Sequence, residues 1–305
     1  MSFTSDVKNE VSKLNHERIE TIAELSVILR NSSQIKDNIK VTTENPSVAR
    51  YVFSAIKEMY GITCKITVRN GYNYSKKYFY ILEINKKIDD IIQELSLNSN
   101  IPSPYLIDDD LSKRAYLRGL FIACGSINDP KKSRYHLEFF VDNKEYADFI
   151  KNLLNEYYLN SKVIKRENNY MIYIKEAEKI GDFLRMMNAI NALFYFEDIR
   201  IYRDHKNMTN RLNNCEQANV DKIIETAMNQ VKDIELIEST GSLDLLSEKE
   251  QVAAVYRMKY KETSLLELAE IISLETGTPI TKSGLYHRFD KIKKIANKIR
   301  EKTDK

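Results

Sequence analysis

The sequence predicts an α+β protein in two parts: a pseudo-twofold body built from a duplicated α-β-α-β-β-α unit, followed by an all-α helix-turn-helix domain. Three observations carry this reading. Segments about 92 residues apart repeat one order of patterns. Within each copy the apolar spacing switches between the helical period and the period of two that marks a strand. Near the C-terminal end, a helix, a short turn and a strongly basic helix follow one another.

The opening "MSFTSDVKNEVSKL" reads as a capped helix, with Ser5 or Asp6 as cap and Val7, Val11 and Leu14 at helical spacing. The first copy then starts at "IAELSVILRNSSQI" (residues 22–35), which matches "RAYLRGLFIACGSI" (residues 114–127). A strand ending in an acid–Asn pair follows each, "IKVTTEN" and "YHLEFFVDN". Next come the helices "PSVARYVFSAIKEMYGI" and "KEYADFIKNLLNEYYL", then the strand pairs "CKITVRN" with "KYFYILEI" and "KVIKREN" with "YMIYIKE". Lys65, Thr67 and Arg69 alternate with Ile66 and Val68, the period of a half-buried strand. Each copy closes on a short amphipathic helix, "IDDIIQEL" or "IGDFLRMM". Between the copies, "NSNIPSPYLIDDD" holds two Pro and three Asp and reads as a connection.

Residues 204–211 are polar and read as a second connection, ahead of a helix over residues 216–237. Gly241 breaks that helix. Ser247 with Glu250, and Ser264 with Glu267, have capping-box spacing. Three helices follow, over residues 247–259, 264–273 and 281–300. The domain organisation is therefore 1–97 and 111–205 for the two halves, 98–110 for their connection, 206–246 for a linker helix and 247–305 for the helix-turn-helix.

Composition narrows the function classes. The chain has 305 residues, 43% hydrophobic and 30% charged, which suits a packed soluble protein. No apolar run approaches the ~18 residues of a membrane span, and no signal core opens the chain. Three widely spaced Cys suggest neither a disulfide framework nor a zinc site, which points to the cytoplasm. Net charge is +3, unevenly spread. Residues 279–300 carry Lys282, Arg288, Lys291, Lys293, Lys294, Lys298 and Arg300 against Asp290 alone, a local +6 that leaves −3 for the rest. Such a stripe is either a solvated helix face or the footprint of a nucleic acid.

"LRGLFIACG" (residues 117–125) resembles the LAGLIDADG helix of homing endonucleases. The ordered combination of "MSFTSDVKNEVSKL", "TNRLNNCEQANVDK" and "ITKSGLYHRFDKI" resembles the WhiA family of bacterial regulators over nearly the whole chain. The first resemblance implies a body in which two such helices pack at the pseudo-twofold axis. Gly119 and Ala123, four apart on one face, would let the partner backbone approach, against Val27 and Asn31 in the first copy. Alternatively Gly119 only makes room for a bulky core side chain. Cleavage in that fold needs a metal-binding carboxylate at the eighth motif position of each copy. Cys124 and its counterpart Ser32 stand there, so the resemblance implies a scaffold without its catalytic ligands, with no metal and no cofactor. Asp129 and Asp37 lie five residues further on, beyond the helix ends. Lys65, Arg69, His136, Glu138, Lys162 and Arg166 fall where a DNA saddle would lie, but the net acidic body leaves a protein-binding or architectural role equally open.

In the helix-turn-helix, Leu265, Leu268, Ala269, Ile271 and Ile272 are expected to form the first-helix core, and Ile280, Leu285, Phe289 and Ile292 the buried side of the second. The expected DNA-binding set is Ser264, Thr281, Lys282, Ser283, Gly284, Tyr286, His287, Arg288, Lys291 and Lys294. Arg288 is the expected base reader, because its planar fork matches guanine. Lys291 and Lys294 suit phosphates or solvent. Tyr286 has the alternative of packing on the first helix, and His287 that of an ordinary surface residue. The expectation is a non-enzymatic, nucleoid-associated regulator bound to double-stranded DNA. Family resemblance implies transcription, cell division, chromosome segregation or sporulation. The rival readings are an active endonuclease or maturase, and an adaptor that binds RNA polymerase or another protein.

Overall fold

The computed structural model describes residues 2–70, 78–132 and 134–303. It divides into two compact units, residues 1–204 and 205–305.

The first unit opens with α1 (Phe3–Val11). Its cap is Ser2, whose hydroxyl accepts from the Ser5 amide at 3.3 Å, so Ser5 and Asp6 lie inside the first turn rather than capping it. Phe3, Val7 and Val11, four apart, bury one stripe. Then come α2 (Arg18–Ser32), β1 (Ser33–Ile35), β2 (Ile39–Thr43), α3 (Pro46–Tyr60), β3 (Lys65–Asn70), β4 (Tyr78–Ile84) and α4 (Ile88–Glu94). Lys77, expected to open the β4 strand, lies outside the described residues. The second copy runs α5 (Asp110–Cys124), β5 (Gly125–Ile127), β6 (Leu137–Val141), α6 (Lys144–Glu156), β7 (Lys162–Arg166), β8 (Asn169–Ile174) and α7 (Ala177–Met186). The acid–Asn pairs explain the helix starts that follow them: Asn45 and Asn143 each cap their helix, accepting two backbone amides on Oδ1.

Each copy makes one antiparallel four-stranded sheet, ordered β1-β2-β4-β3 and β5-β6-β8-β7. The short β1 and β5 continue directly from α2 and α5 and were not legible as strands. Ile66 and Val68 depart from expectation at 47% and 53% exposed. Their strand, β3, is the sheet edge, and the face that carries these two side chains is left open to solvent.

The two copies meet along α2 and α5. A Cβ built on Gly119 would lie 2.8 Å from Glu24 Cα, 2.9 Å from Glu24 O and 2.5 Å from Val27 Cγ1. Only glycine allows that approach of backbones. Ala123 is half-buried. Asn31 donates to the Val27 carbonyl at 2.8 Å and to the Tyr146 hydroxyl at 3.2 Å.

Beside Gly119 the seam is clasped by buried charge that hydropathy did not reveal. Arg118 bonds Glu24 through Nε and Glu20 through Nη2, the latter at 2.9 Å. Tyr51 donates to the second oxygen of Glu24. Arg118 Nη2 also lies 2.9 Å from His16 Nδ1. A guanidinium only donates, so Nδ1 accepts and the His16 proton sits on Nε2. Burial, with Arg118 second, depresses the His16 pKa to about 4 from 6.5. Burial pushes Glu24 the other way, up to about 7, against the pull of Arg118 and Tyr51.

A depressed histidine contributes stability that is complete above its unfolded value and lost as pH falls toward its folded one. Relative to His16→Gln, the wild type is therefore expected to lose about 2 kcal/mol of unfolding free energy between pH 7 and pH 5. The variant comparison isolates the ring from the opposite contribution of Glu24. Urea denaturation at the two pH values measures it, and a pH-independent difference would show that the ring is not held neutral.

Helix α8 (Ile190–Ser239) overturns one expectation. The connection expected at residues 204–211 is helical, as is everything from 190 to 239, because polarity alone does not break a helix and this stretch holds no Gly or Pro. Its start is fixed by Glu10, which accepts from the Asn191 and Ala192 amides at 2.7 and 3.0 Å.

The second unit packs α9 (Glu248–Lys259), α10 (Leu265–Thr276) and α11 (Lys282–Thr303) with the end of α8. Leu268, Ala269, Ile272, Leu285, Phe289 and Ile292 are buried. Leu265, Ile271 and Ile280 are only half-buried. Gly277, at φ +69°, ends α10, and the Ser273 hydroxyl pins the turn by accepting from the Ile280 amide at 2.9 Å. Among the described residues, no helix is long and apolar enough to cross a membrane.

Candidate nucleic-acid interface

Helix α11 buries Leu285, Phe289, Ile292 and Ala296, which leaves the opposite face to solvent. That face carries Ser283, His287, Lys294 and Lys298, all exposed at helical spacing, with Lys291 beside them. Lys282 and Tyr286 occupy one flank, the tyrosine 57% exposed with its ring 5.9 Å from that of His287. Asp290 tempers the stripe: it pairs with Lys294 at 2.7 Å, and this ammonium holds its carboxyl below the usual range. Lys291 reaches Glu250 at 3.6 Å, and Arg300 reaches Asp233 at 2.6 Å. Only the Asp290–Lys294 pair is exposed on both sides, worth little to stability and readily exchanged for phosphates, whereas Glu250 and Asp233 are buried.

Three members of the expected set have local duties. Ser264 caps α10, its hydroxyl accepting from Glu267 N at 3.3 Å. Thr281 does the same for α11, accepting from Gly284 N at 3.1 Å. Arg288 stands on the other flank, half-buried, and donates through Nη1 to the Lys249 carbonyl at 3.3 Å. Helical spacing explains this: Arg288 lies three after Leu285 and four before Ile292, on the border of the apolar stripe. Gly284 is unhindered; a Cβ there would meet nothing nearer than 3.4 Å.

In the first unit the carboxylate positions of the LAGLIDADG pattern hold Ser32 and Cys124. Burial pushes the Cys124 thiol up to about 12, and its Sγ donates to the Leu120 carbonyl at 3.5 Å. Lys8 approaches from α1, its ammonium 5.8 Å from the Phe121 ring centre. Burial lowers Lys8 to about 8. A protonated thiol, a hydroxyl and an ammonium do not fit a hard divalent cation, which takes anionic oxygens. Asp129 accepts instead from the Lys131 amide at 2.9 Å, with the Tyr195 hydroxyl at 3.4 Å; Asp37 is exposed in the β1–β2 turn. Sequence reasoning missed Lys8, because nothing in "DVKNEV" marks which face of α1 meets α5.

The outer sheet faces are mixed in charge. Register places Lys65, Thr67 and Arg69 beside Glu83, Ile81 and Phe79. Glu83 pairs with Lys40 at 3.4 Å and Lys65 at 3.7 Å. On the second sheet His136 meets Glu138 at 3.0 Å, and Lys162 and Arg166 pair in register with Tyr173 and Asn169.

A duplicated α+β body and a helix-turn-helix unit with one basic helix face define the class: a LAGLIDADG-like scaffold joined to a helix-turn-helix module. Family models match all three parts: the WhiA N-terminal LAGLIDADG-like domain at residues 18–98, the WhiA LAGLIDADG-like domain at 113–206 and the WhiA C-terminal HTH domain at 209–296. The chain belongs to the WhiA family. It is 40% identical over 312 residues to the "Probable cell division protein WhiA" of Oceanobacillus iheyensis, covering 98% of both chains. The protein of the same name from Staphylococcus aureus is 40% identical over 310 residues, again with 98% of each covered. The crystal structure of full-length DUF199/WhiA from "Thermatoga maritima" shares the fold at TM-score 0.60 and 24% identity, covering 98% of this chain and 99% of that one.

Proposed function

We propose that this chain is a non-enzymatic, DNA-binding transcription regulator of cell division, with chromosome segregation or sporulation as related outputs. The observation that carries the reading is the exposed basic face of α11, from Lys282 to Lys298, at the second helix of a helix-turn-helix. The name borne by the relatives, cell division protein, supplies the cell-division context. The donor set at Ser32 and Cys124 supports the absence of metal-dependent cutting. The mixed charge of the sheet faces favours the second unit over the body as the main phosphate contact. Nucleoid association follows from that contact.

The test uses the full chain and the genomic fragments that co-purify with it. Lys294→Ala is expected to weaken binding about equally on every sequence and to reduce the salt slope by about 1. Arg288→Ala is expected to cost about 1–3 kcal/mol on the preferred site only, the guanidinium leaving the Lys249 carbonyl to read a base. Fluorescence anisotropy across salt concentrations measures both, and the same duplexes with Mg²⁺ are expected to stay uncut. Equal losses on preferred and random DNA would remove Arg288 as a reader. Failure of the full chain to bind any fragment would favour the protein-adaptor reading.

A further inference from the structure

We propose that the second unit contains a pocket for a small organic anion, a carboxylate or phosphate ester with an apolar body, floored by Arg257. This residue of α9 is 1% exposed. Its Nε donates to Gln230 Oε1 at 3.0 Å, and Nη1 to the carbonyls of Tyr260 and Thr263 at 3.1 and 2.6 Å. All three acceptors are neutral. Among the described residues no carboxylate forms an ion pair with Arg257, and Nη2 has no hydrogen-bond partner. Burial alone lowers the guanidinium to about 10. The Phe289 ring, 5.4 Å from Cζ, adds a cation–π contact, yet a buried cation without a counter-charge stays costly, and proteins ordinarily pair it. Arg118 in the first unit shows the ordinary solution, with two carboxylates on one guanidinium.

Arg257 lines a cavity of about 380 Å³ formed by α8, the α9–α10 turn and the start of α11. Two further cations, Lys222 and Lys282, line it, and neither has an ion-pair partner among the described residues. Thr226 and Thr263 add hydroxyls, and the capped N-terminus of α10 adds its dipole. The nearby Glu267 carboxylate is already committed to the Ser264 amide at 3.1 Å. Ile223, Leu265 and Leu266 supply an apolar wall. Three cations and aliphatic carbon in one lining fit neither bare phosphate nor a neutral ligand. They fit an acid carrying a ring or short chain, and the volume lies in the ~300–1,000 Å³ range of small-molecule sites.

The experiment titrates the full chain with phenyl phosphate, benzoate, inorganic phosphate and benzyl alcohol by calorimetry. One saturable site is expected for phenyl phosphate or benzoate, with Kd below about 1 mM. Inorganic phosphate is expected to bind at least about tenfold more weakly, and benzyl alcohol not to saturate. The variant Lys222→Gln/Lys282→Gln changes only exposed side chains and so avoids the folding risk of altering Arg257; it is expected to lose about tenfold in phenyl phosphate affinity. Failure of both organic anions to saturate the wild type would overturn the proposal, as would unchanged affinity in the variant or equal binding of inorganic phosphate. A backbone phosphate of DNA is the other source of such an anion. If the variant weakens only DNA binding while phenyl phosphate never binds, the pocket belongs to the duplex and the small-ligand proposal fails.

Discussion

Arg118→Met is expected to lower the unfolding free energy of the first unit by about 3–5 kcal/mol, the largest effect of any single substitution considered. The reason is what it leaves behind. Glu24 is fully buried, and its carboxylate is compensated by Arg118 on one oxygen and by the Tyr51 hydroxyl on the other. Without the guanidinium, Glu24 must hold an unpaired charge or take up a proton. Adding Glu24→Gln removes that charge and keeps an acceptor for Tyr51. The double variant is therefore expected to recover at least about half of the loss, because breaking one side of a buried pair costs more than replacing both. Urea unfolding of the four proteins gives the coupling energy, and strictly additive losses would show that the pair does not act as a unit.

Gly119→Ala is expected to cost about 2–3 kcal/mol, although alanine is the better helix former by roughly 1 kcal/mol. The added methyl meets main-chain atoms of Glu24 at 2.8 and 2.9 Å, which no side-chain rotation relieves. Gly284→Ala is the matched control. It also sits in a helix, but its nearest contact would be an ordinary 3.4 Å, so the substitution is expected to be neutral or stabilising. Thermal or urea denaturation of both variants decides the point. A loss of similar size at both positions would mean that the helix approach is not what Gly119 serves.

Much of this architecture was legible because the chain states it twice. Repetition paired "IAELSVILRNSSQI" with "RAYLRGLFIACGSI", and the Asn before each following helix marked a start that side-chain capping explains. What hydropathy hides is charge turned inward. Glu24 and Arg118 look like surface residues in sequence, and only the pairing of helices 94 residues apart makes a buried bond of them. The polar stretch at 204–211 misled for the opposite reason: a helix with no layer over it has no apolar stripe to announce it. At the candidate interface, spacing along α11 located Ser283, His287 and Lys294, whereas Arg288 lies on a border that spacing alone assigns to neither face. The cavity beside Arg257 was invisible in sequence, since its walls come from four separated segments.

The meeting line of the two halves has a lineage consequence. With an offset of 92 positions, Gly119 answers to Val27, Arg118 to Ser26 and Glu24 to Tyr116. Two copies of the leading half would set valine where only glycine fits and strand an acid without its base. Two copies of the trailing half would leave a gap and an orphaned guanidinium. The present halves are lock and key, and neither can stand in for its sibling.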